Sequence, residues 1–208
     1  MKNPEKNDTQ RIMFELPESV KKLNRTRFLS VLAITLVRIP LALGFAALYQ
    51  LTETPSPLRI WLGLILLVLI EVSDGLDGFL ARRFKVVSEV GAMFDPYTDS
   101  FSRLVIYYTY AVSGMALLAV PVVMALRDVT VAYCRIVLTR RGRSVAALIS
   151  GKIKAVIQGV CAFILCLSPL FLHITGDVIY TVISWLVIGA TAASCLEYIA
   201  AAYKSVSQ

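Results

Sequence analysis

The chain has 208 residues, a net charge of +7, 57% hydrophobic residues and only 17% charged ones, with a mean hydropathy of +0.71. Soluble domains run at about 45–50% apolar and about 25% charged, so this composition excludes an ordinary soluble globular domain. The positive charge gathers at the ends of apolar segments, which points to a membrane surface and away from nucleic acid.

Residues 1–26 form a polar lead in which 11–16 and 20–23 mix apolar and charged side chains around Pro17. Either an amphipathic helix lying on the membrane or a disordered tail fits that pattern. The polar start shows no signal-peptide pattern, so the apolar segments are expected to persist in the mature protein. Residues 27–204 read as one all-α integral membrane domain, a bundle of six transmembrane helices. The first span covers 27–50 and contains Arg38; a loop rich in turn-formers follows at 52–57. The second covers 58–82, yet its purely apolar part, 61–70, is ten residues, against the roughly 20 needed to cross a bilayer. That helix must therefore carry Asp74 and Asp77 into the membrane. The remaining spans are 91–112, 114–138, 150–173 and 178–203. Lys and Arg concentrate before span one, between spans two and three, between spans four and five, and after span six. By the positive-inside rule, both termini and the two basic connectors are cytoplasmic. The four cysteines lie in apolar stretches without metal-like spacing and read as packing residues. His173 falls at the opposite membrane face, and Trp61 and Trp185 read as lipid or interface anchors.

The chemistry concentrates in 74–99. Asp74 and Asp77 are three apart, and Asp95 and Asp99 four apart, so each pair shares one helix face. The short connector between the two helices makes an antiparallel hairpin centred near Val86. Asp74 then lies level with Asp99, and Asp77 with Asp95. Four carboxylates at one membrane depth would not remain ionised unaided. Two hard divalent cations, Mg²⁺ or Mn²⁺, resolve the repulsion, and paired metals suit phosphoryl displacement. Gly75, Gly78 and Gly91 let a ligand approach the backbone, although the same residues would serve close helix packing. Arg82 fits a phosphate ligand or an ordinary cytoplasmic anchor.

These residues resemble the CDP-alcohol phosphatidyltransferase signature, D-x2-D-G-x2-A-R-x8-G-x3-D-x3-D. Asp74, Asp77, Gly78, Ala81, Arg82, Gly91, Asp95 and Asp99 fill every fixed position. The resemblance implies a CDP-diacylglycerol donor, an alcohol acceptor and release of CMP. It further implies that Asp74, Asp77 and Asp95 bind metal. Asp99 is then the general base and a further metal contact, and Gly75, Gly78, Ala81, Arg82 and Gly91 belong to the CDP-lipid site. A homodimer in a bacterial inner membrane, with its site on the cytoplasmic side, follows from the same likeness and the charge pattern.

Within that family, Arg127-Asp128, Arg135 and the run Gly151-Lys152-Ile153-Lys154 with Gln158 resemble phosphatidylglycerophosphate synthases, as does the stretch around Arg38. Arg38, Arg127, Arg135, Lys152 and Lys154 would then bind a small anionic acceptor such as glycerol 3-phosphate. Asp128 in place of Glu, Ala155 in place of Thr, Leu32 in place of Asn, and the bulky Tyr97-Thr98 depart from that pattern. Inositol phosphate, serine and phosphatidylglycerol remain alternative acceptors, and Lys152 and Lys154 also fit simple membrane anchors. A divalent-cation or proton-coupled transporter would also place carboxylates in the membrane. The chain lacks that class's paired interrupted helices. A catalytically silent scaffold would not be expected to keep all four aspartates.

Overall fold

A computed structural model describes residues 18–52, 56–84, 89–140, 149–171 and 176–206. The described residues form six helices: α1 (Glu18–Leu51), α2 (Pro57–Phe84), α3 (Glu89–Val112), α4 (Ala119–Arg140), α5 (Ile149–Phe171) and α6 (Gly176–Val206). The apolar segments predicted as spans each become one of these helices. The proposed surface helix at 11–16 and His173 lie outside the described residues, and 20–23 fall within the first turns of α1.

Local chemistry sets the helix ends. Ser56 caps α2, its Oγ accepting from the Arg59 amide at 3.2 Å, with Pro57 in the first turn where a missing amide costs nothing. At the end of α3, Gly114 adopts φ +73°. The Met115 amide bonds the Tyr110 carbonyl at 2.8 Å, and the Gly114 amide bonds the Ala111 carbonyl at 3.2 Å. This is a Schellman closure, which needs a residue free of a Cβ at the left-handed position. It delays the start of α4 to Ala119, five residues beyond the expected 114.

α1 packs along both α2 and α3, α6 packs along α4 and α5, and α5 closes against α2. Among the described residues, α2 and α3 each pack more extensively on α1 than on each other. At the end opposite the aspartates, Phe45, Tyr49, Tyr110, Leu165, Cys166 and Val187 form a buried core. Tyr49 stacks on Phe45 at 4.7 Å, and Tyr110 meets both rings edge-on at 5.5 and 5.7 Å, a favoured aromatic geometry. Buried phenols need acceptors: Tyr107 donates to the Gln158 carbonyl at 2.7 Å and Tyr110 to the Ala162 carbonyl at 2.8 Å. Cys161 and Cys166 are buried and unbridged, whereas Cys134 and Cys195 are half-buried.

The exterior is apolar. Leu43, Trp61, Ile65, Leu69, Val122, Leu126, Val129, Trp185 and Leu186 are exposed, an arrangement that water would not tolerate and lipid would. Among the described residues, three stretches are long and apolar enough to cross a membrane: Leu29–Leu51, Ser150–Phe171 and Val178–Lys204. α2, α3 and α4 carry charges along their lengths instead, and Arg59, Asp77, Arg103 and Arg127 among them are buried.

Gly63 lies where α2 meets α1 and α5; a Cβ there would sit 3.3 Å from Cys166 Sγ and 3.4 Å from the Tyr49 ring. Gly63→Leu is therefore expected to overpack the junction by about 1–3 kcal/mol. Thermal unfolding in detergent should show a lowered midpoint, and an unchanged midpoint would contradict this packing.

Candidate active site

The site is built on the helix face that α1 turns toward α2 and α3. Thr35 and Arg38, three residues apart, share that face. Arg38 is 1% exposed and reaches three carboxylates at once. It donates to Asp74 Oδ1 at 2.5 Å, to Asp95 Oδ1 at 2.9 Å and closely to Asp77 Oδ2. The Thr35 hydroxyl donates to the same Asp77 oxygen at 2.9 Å. Such charge-assisted bonds are what a buried guanidinium requires to offset its lost hydration.

Asp74, Asp77 and Asp95 thus converge, with one oxygen of each within 4.8 Å of the others. Asp77 is buried, while Asp74 and Asp95 are 42% and 57% exposed. One guanidinium against three carboxylates leaves a formal excess of negative charge beside an opening. Hard oxygen donors, clustered and accessible, fit a divalent cation. Leu76, Phe79 and Tyr97 stand exposed on the same stretches of α2 and α3.

The four-carboxylate face expected from the hairpin is only three-quarters realised. Asp99 stays within electrostatic range of Asp74, but its Oδ1 is drawn to Arg103 Nε at 2.8 Å, one turn along α3. The physical reason is charge: a guanidinium four residues away on the same helix attracts the carboxylate, whereas the other aspartates repel it. Arg103 is itself flanked by Glu71 of α2 at 3.2 Å. Neither Glu71 nor Arg103 emerged as a candidate from spacing. A carboxylate and a guanidinium inside apolar spans were their only signal.

Around Gly75, no atom lies within 4 Å of where a Cβ would stand, so its backbone is approachable. Gly78 lies half-buried one turn on. Ala81 and Arg82 fall in the last turn of α2 and Gly91 in the first turn of α3; the surroundings of all three lie outside the described residues.

A second polar cluster joins α4, α5 and α6. Arg127 bonds Asp128 Oδ1 at 2.8 Å and Ser194 Oγ at 2.8 Å. Arg127 and Arg135 both lie over the Tyr198 ring, at 5.5 and 5.7 Å. Lys154 Nζ lies 3.8 Å from Asp128 and within electrostatic range of Asp99. Gly151 borders this cluster, a Cβ there standing 3.7 Å from both Arg127 Nη2 and the Tyr198 hydroxyl. Buried Arg127 Nε, Arg135 Nε and Ser150 Oγ have no hydrogen-bond partner among the described residues. Three of the five cations predicted for an acceptor site are therefore gathered here. Arg38 stands apart with the aspartates, and Lys152 is exposed.

A helical bundle with carboxylates converging inside an apolar exterior has the form of an intramembrane enzyme. The chain belongs to the CDP-alcohol phosphatidyltransferase family, whose model matches residues 28–195. It is similar to proteins named CDP-diacylglycerol–glycerol-3-phosphate 3-phosphatidyltransferase. The one from Cereibacter sphaeroides is 34% identical over 148 residues, covering 69% of this chain and 65% of that protein. The Bacillus subtilis protein is 27% identical over 139 residues, covering 65% and 70%. That of Pectobacterium atrosepticum is 31% identical over 141 residues, covering 65% and 75%. The match thus spans just under two thirds of the Cereibacter protein.

Arg38→Gln is expected to leave the buried Asp77 without its counter-ion, and breaking a buried pair costs about 3–5 kcal/mol. Thermal unfolding in detergent checks this, with the exposed Lys152→Gln as a control expected to change little.

Proposed function

We propose that this chain transfers a phosphatidyl group from CDP-diacylglycerol to glycerol 3-phosphate, giving phosphatidylglycerophosphate and CMP. The observation that carries the reading is the juxtaposition of two unlike polar clusters, one acidic and one basic, in a single apolar bundle. The names of the similar proteins support the same reaction.

Asp74, Asp77 and Asp95 would hold the divalent metal, Mg²⁺ or Mn²⁺, as two ions if Asp99 also contributes an oxygen. Bound there, the metal supplies positive charge to the donor's pyrophosphate. Asp99 accepts the proton of the acceptor hydroxyl, which requires hydrogen-bond reach. As that proton leaves, the acceptor oxygen forms its bond to the phosphorus nearer the lipid. The bond from that phosphorus to the oxygen of CMP breaks, and CMP carries away the electron pair. Arg127, Arg135 and Lys154 bind the acceptor's phosphate, a role supported for the two arginines by buried Nε atoms that have no hydrogen-bond partner among the described residues. Lys152, being exposed, suits a surface anchor. Gly75 and Gly78, with Ala81, Arg82 and Gly91, form the CDP-lipid site.

The reading is completed by a six-span homodimer in the bacterial inner membrane, comprising a polar lead 1–26 and the domain 27–204. Basic connectors support a cytoplasmic site, and the family likeness supports the dimer.

Purified protein in detergent, given CDP-diacylglycerol and Mg²⁺, is expected to release CMP when glycerol 3-phosphate is added. Release with serine or an inositol phosphate alone would overturn the acceptor assignment, and no release with any acceptor would overturn the reaction. Asp74→Asn, Asp77→Asn and Asp95→Asn should each abolish turnover. Arg127→Gln should raise the KM for glycerol 3-phosphate at least tenfold, the loss of about 1.5–3 kcal/mol expected for a charged hydrogen bond, while sparing the KM for the donor.

A further inference from the structure

Asp99 differs from the other three aspartates in being held by a residue of its own helix. Arg103 Nε donates to Asp99 Oδ1 at 2.8 Å. The far side of the same guanidinium is fixed twice. Nη1 donates to the Ala155 carbonyl of α5 at 3.2 Å and lies 3.2 Å from Glu71 Oε1 of α2. Nη2 reaches Glu71 Oε2 at 3.4 Å. One buried, planar group thereby touches three helices. Once its Nη atoms are held, the direction of its Nε–H is set as well.

Two details separate this from a simple neutralising pair. The shortest bond goes to Asp99, and Glu71 takes the longer ones. Asp99 Oδ2, meanwhile, makes no hydrogen bond among the described residues, in a side chain 32% exposed. One oxygen is held and the other is presented. The carbonyl that anchors Arg103 belongs to the residue next to Lys154, so Asp99 is referenced to the helix carrying part of the acceptor cluster. Gly159 of α5 lies against the same pair: a Cβ there would stand 3.4 Å from Glu71 Oε1 and 3.5 Å from Arg103 Nη1.

We propose that Arg103 is a positioning residue which, anchored by Glu71 and the Ala155 carbonyl, aims Asp99 at the acceptor hydroxyl. The inference rests on the reading of Asp99 as proton acceptor in phosphatidyl transfer. The test is CMP release by full-length protein in detergent, with kcat expressed per CDP-diacylglycerol-binding site so that misfolded protein does not count. Misplacing a proton acceptor by about 1 Å costs on the order of 100-fold, and Arg103→Gln should lower kcat by about that factor. The donor KM should stay within about twofold, the pattern of an interaction made only in the transition state. Arg103→Lys, which restores a charge beside Asp99 without the fork, should recover roughly tenfold of the loss. Glu71→Gln, which loosens the anchor alone, should cost roughly tenfold in kcat. A kcat for Arg103→Gln near wild type, or a loss that Lys does not relieve, overturns the proposal. Should Arg103→Gln fail to fold, an unchanged kcat in Glu71→Gln overturns it equally. A wild-type protein that releases no CMP removes the reaction and this role together, whereas an active wild type with indifferent variants removes the role alone.

Discussion

The ion cluster around Arg38 is the constraint on which the arrangement depends. A guanidinium in an apolar helix cannot remain unpaired, and three carboxylates on two other helices cannot remain together without opposite charge. Each problem is the solution of the other. Because Arg38 sits on α1 and its partners on α2 and α3, satisfying them sets the relative depth and rotation of all three helices. α1 thereby helps bring together aspartates that stand on two other helices.

From that cluster the bundle divides into two ends of different character. Towards Phe45, Tyr49 and Tyr110 the contacts are aromatic and the polar atoms are hydroxyls bonded to helix carbonyls. Towards Asp74 and Arg127 the interior is charged, and Arg38, Arg103 and Lys154 each reach a carboxylate on another helix. α5 links the two, offering carbonyls to Tyr107 and Tyr110 at one end and Lys154 and the Ala155 carbonyl at the other. Rigid packing at one end lets charged groups at the other be held in place rather than merely tethered.

Much of this was legible in the residues. Long apolar segments announce helices whatever their partners; α3 ends at the expected Val112, but α1 begins at Glu18 rather than 27, and the Gly114 turn postpones α4 to Ala119. Aspartates three and four apart announced two shared faces. The gathering of Arg127, Arg135 and Lys154 followed a pattern readable along the chain. The partnership of Arg38 did not, because periodicity fixes the face of a residue on its own helix but not its depth against another. The diversion of Asp99 was hidden for a related reason. Its spacing to Asp95 and its spacing to Arg103 are both four, and only the third dimension decides between them. Glu71 became meaningful only once α2, α3 and α5 were seen to converge.

Asp74, Asp77 and Asp95 share their stretches of α2 and α3 with the exposed Leu76, Phe79 and Tyr97, an ionic floor beside an oily rim. Such a face matches a molecule built the same way, with a charged head and hydrocarbon tails. A lipid approaching sideways can surrender its head to the floor while its tails remain among other tails. Each methylene spared a passage through water avoids a cost of about 0.8 kcal/mol, so solubility, ordinarily the obstacle to handling such a reactant, never arises.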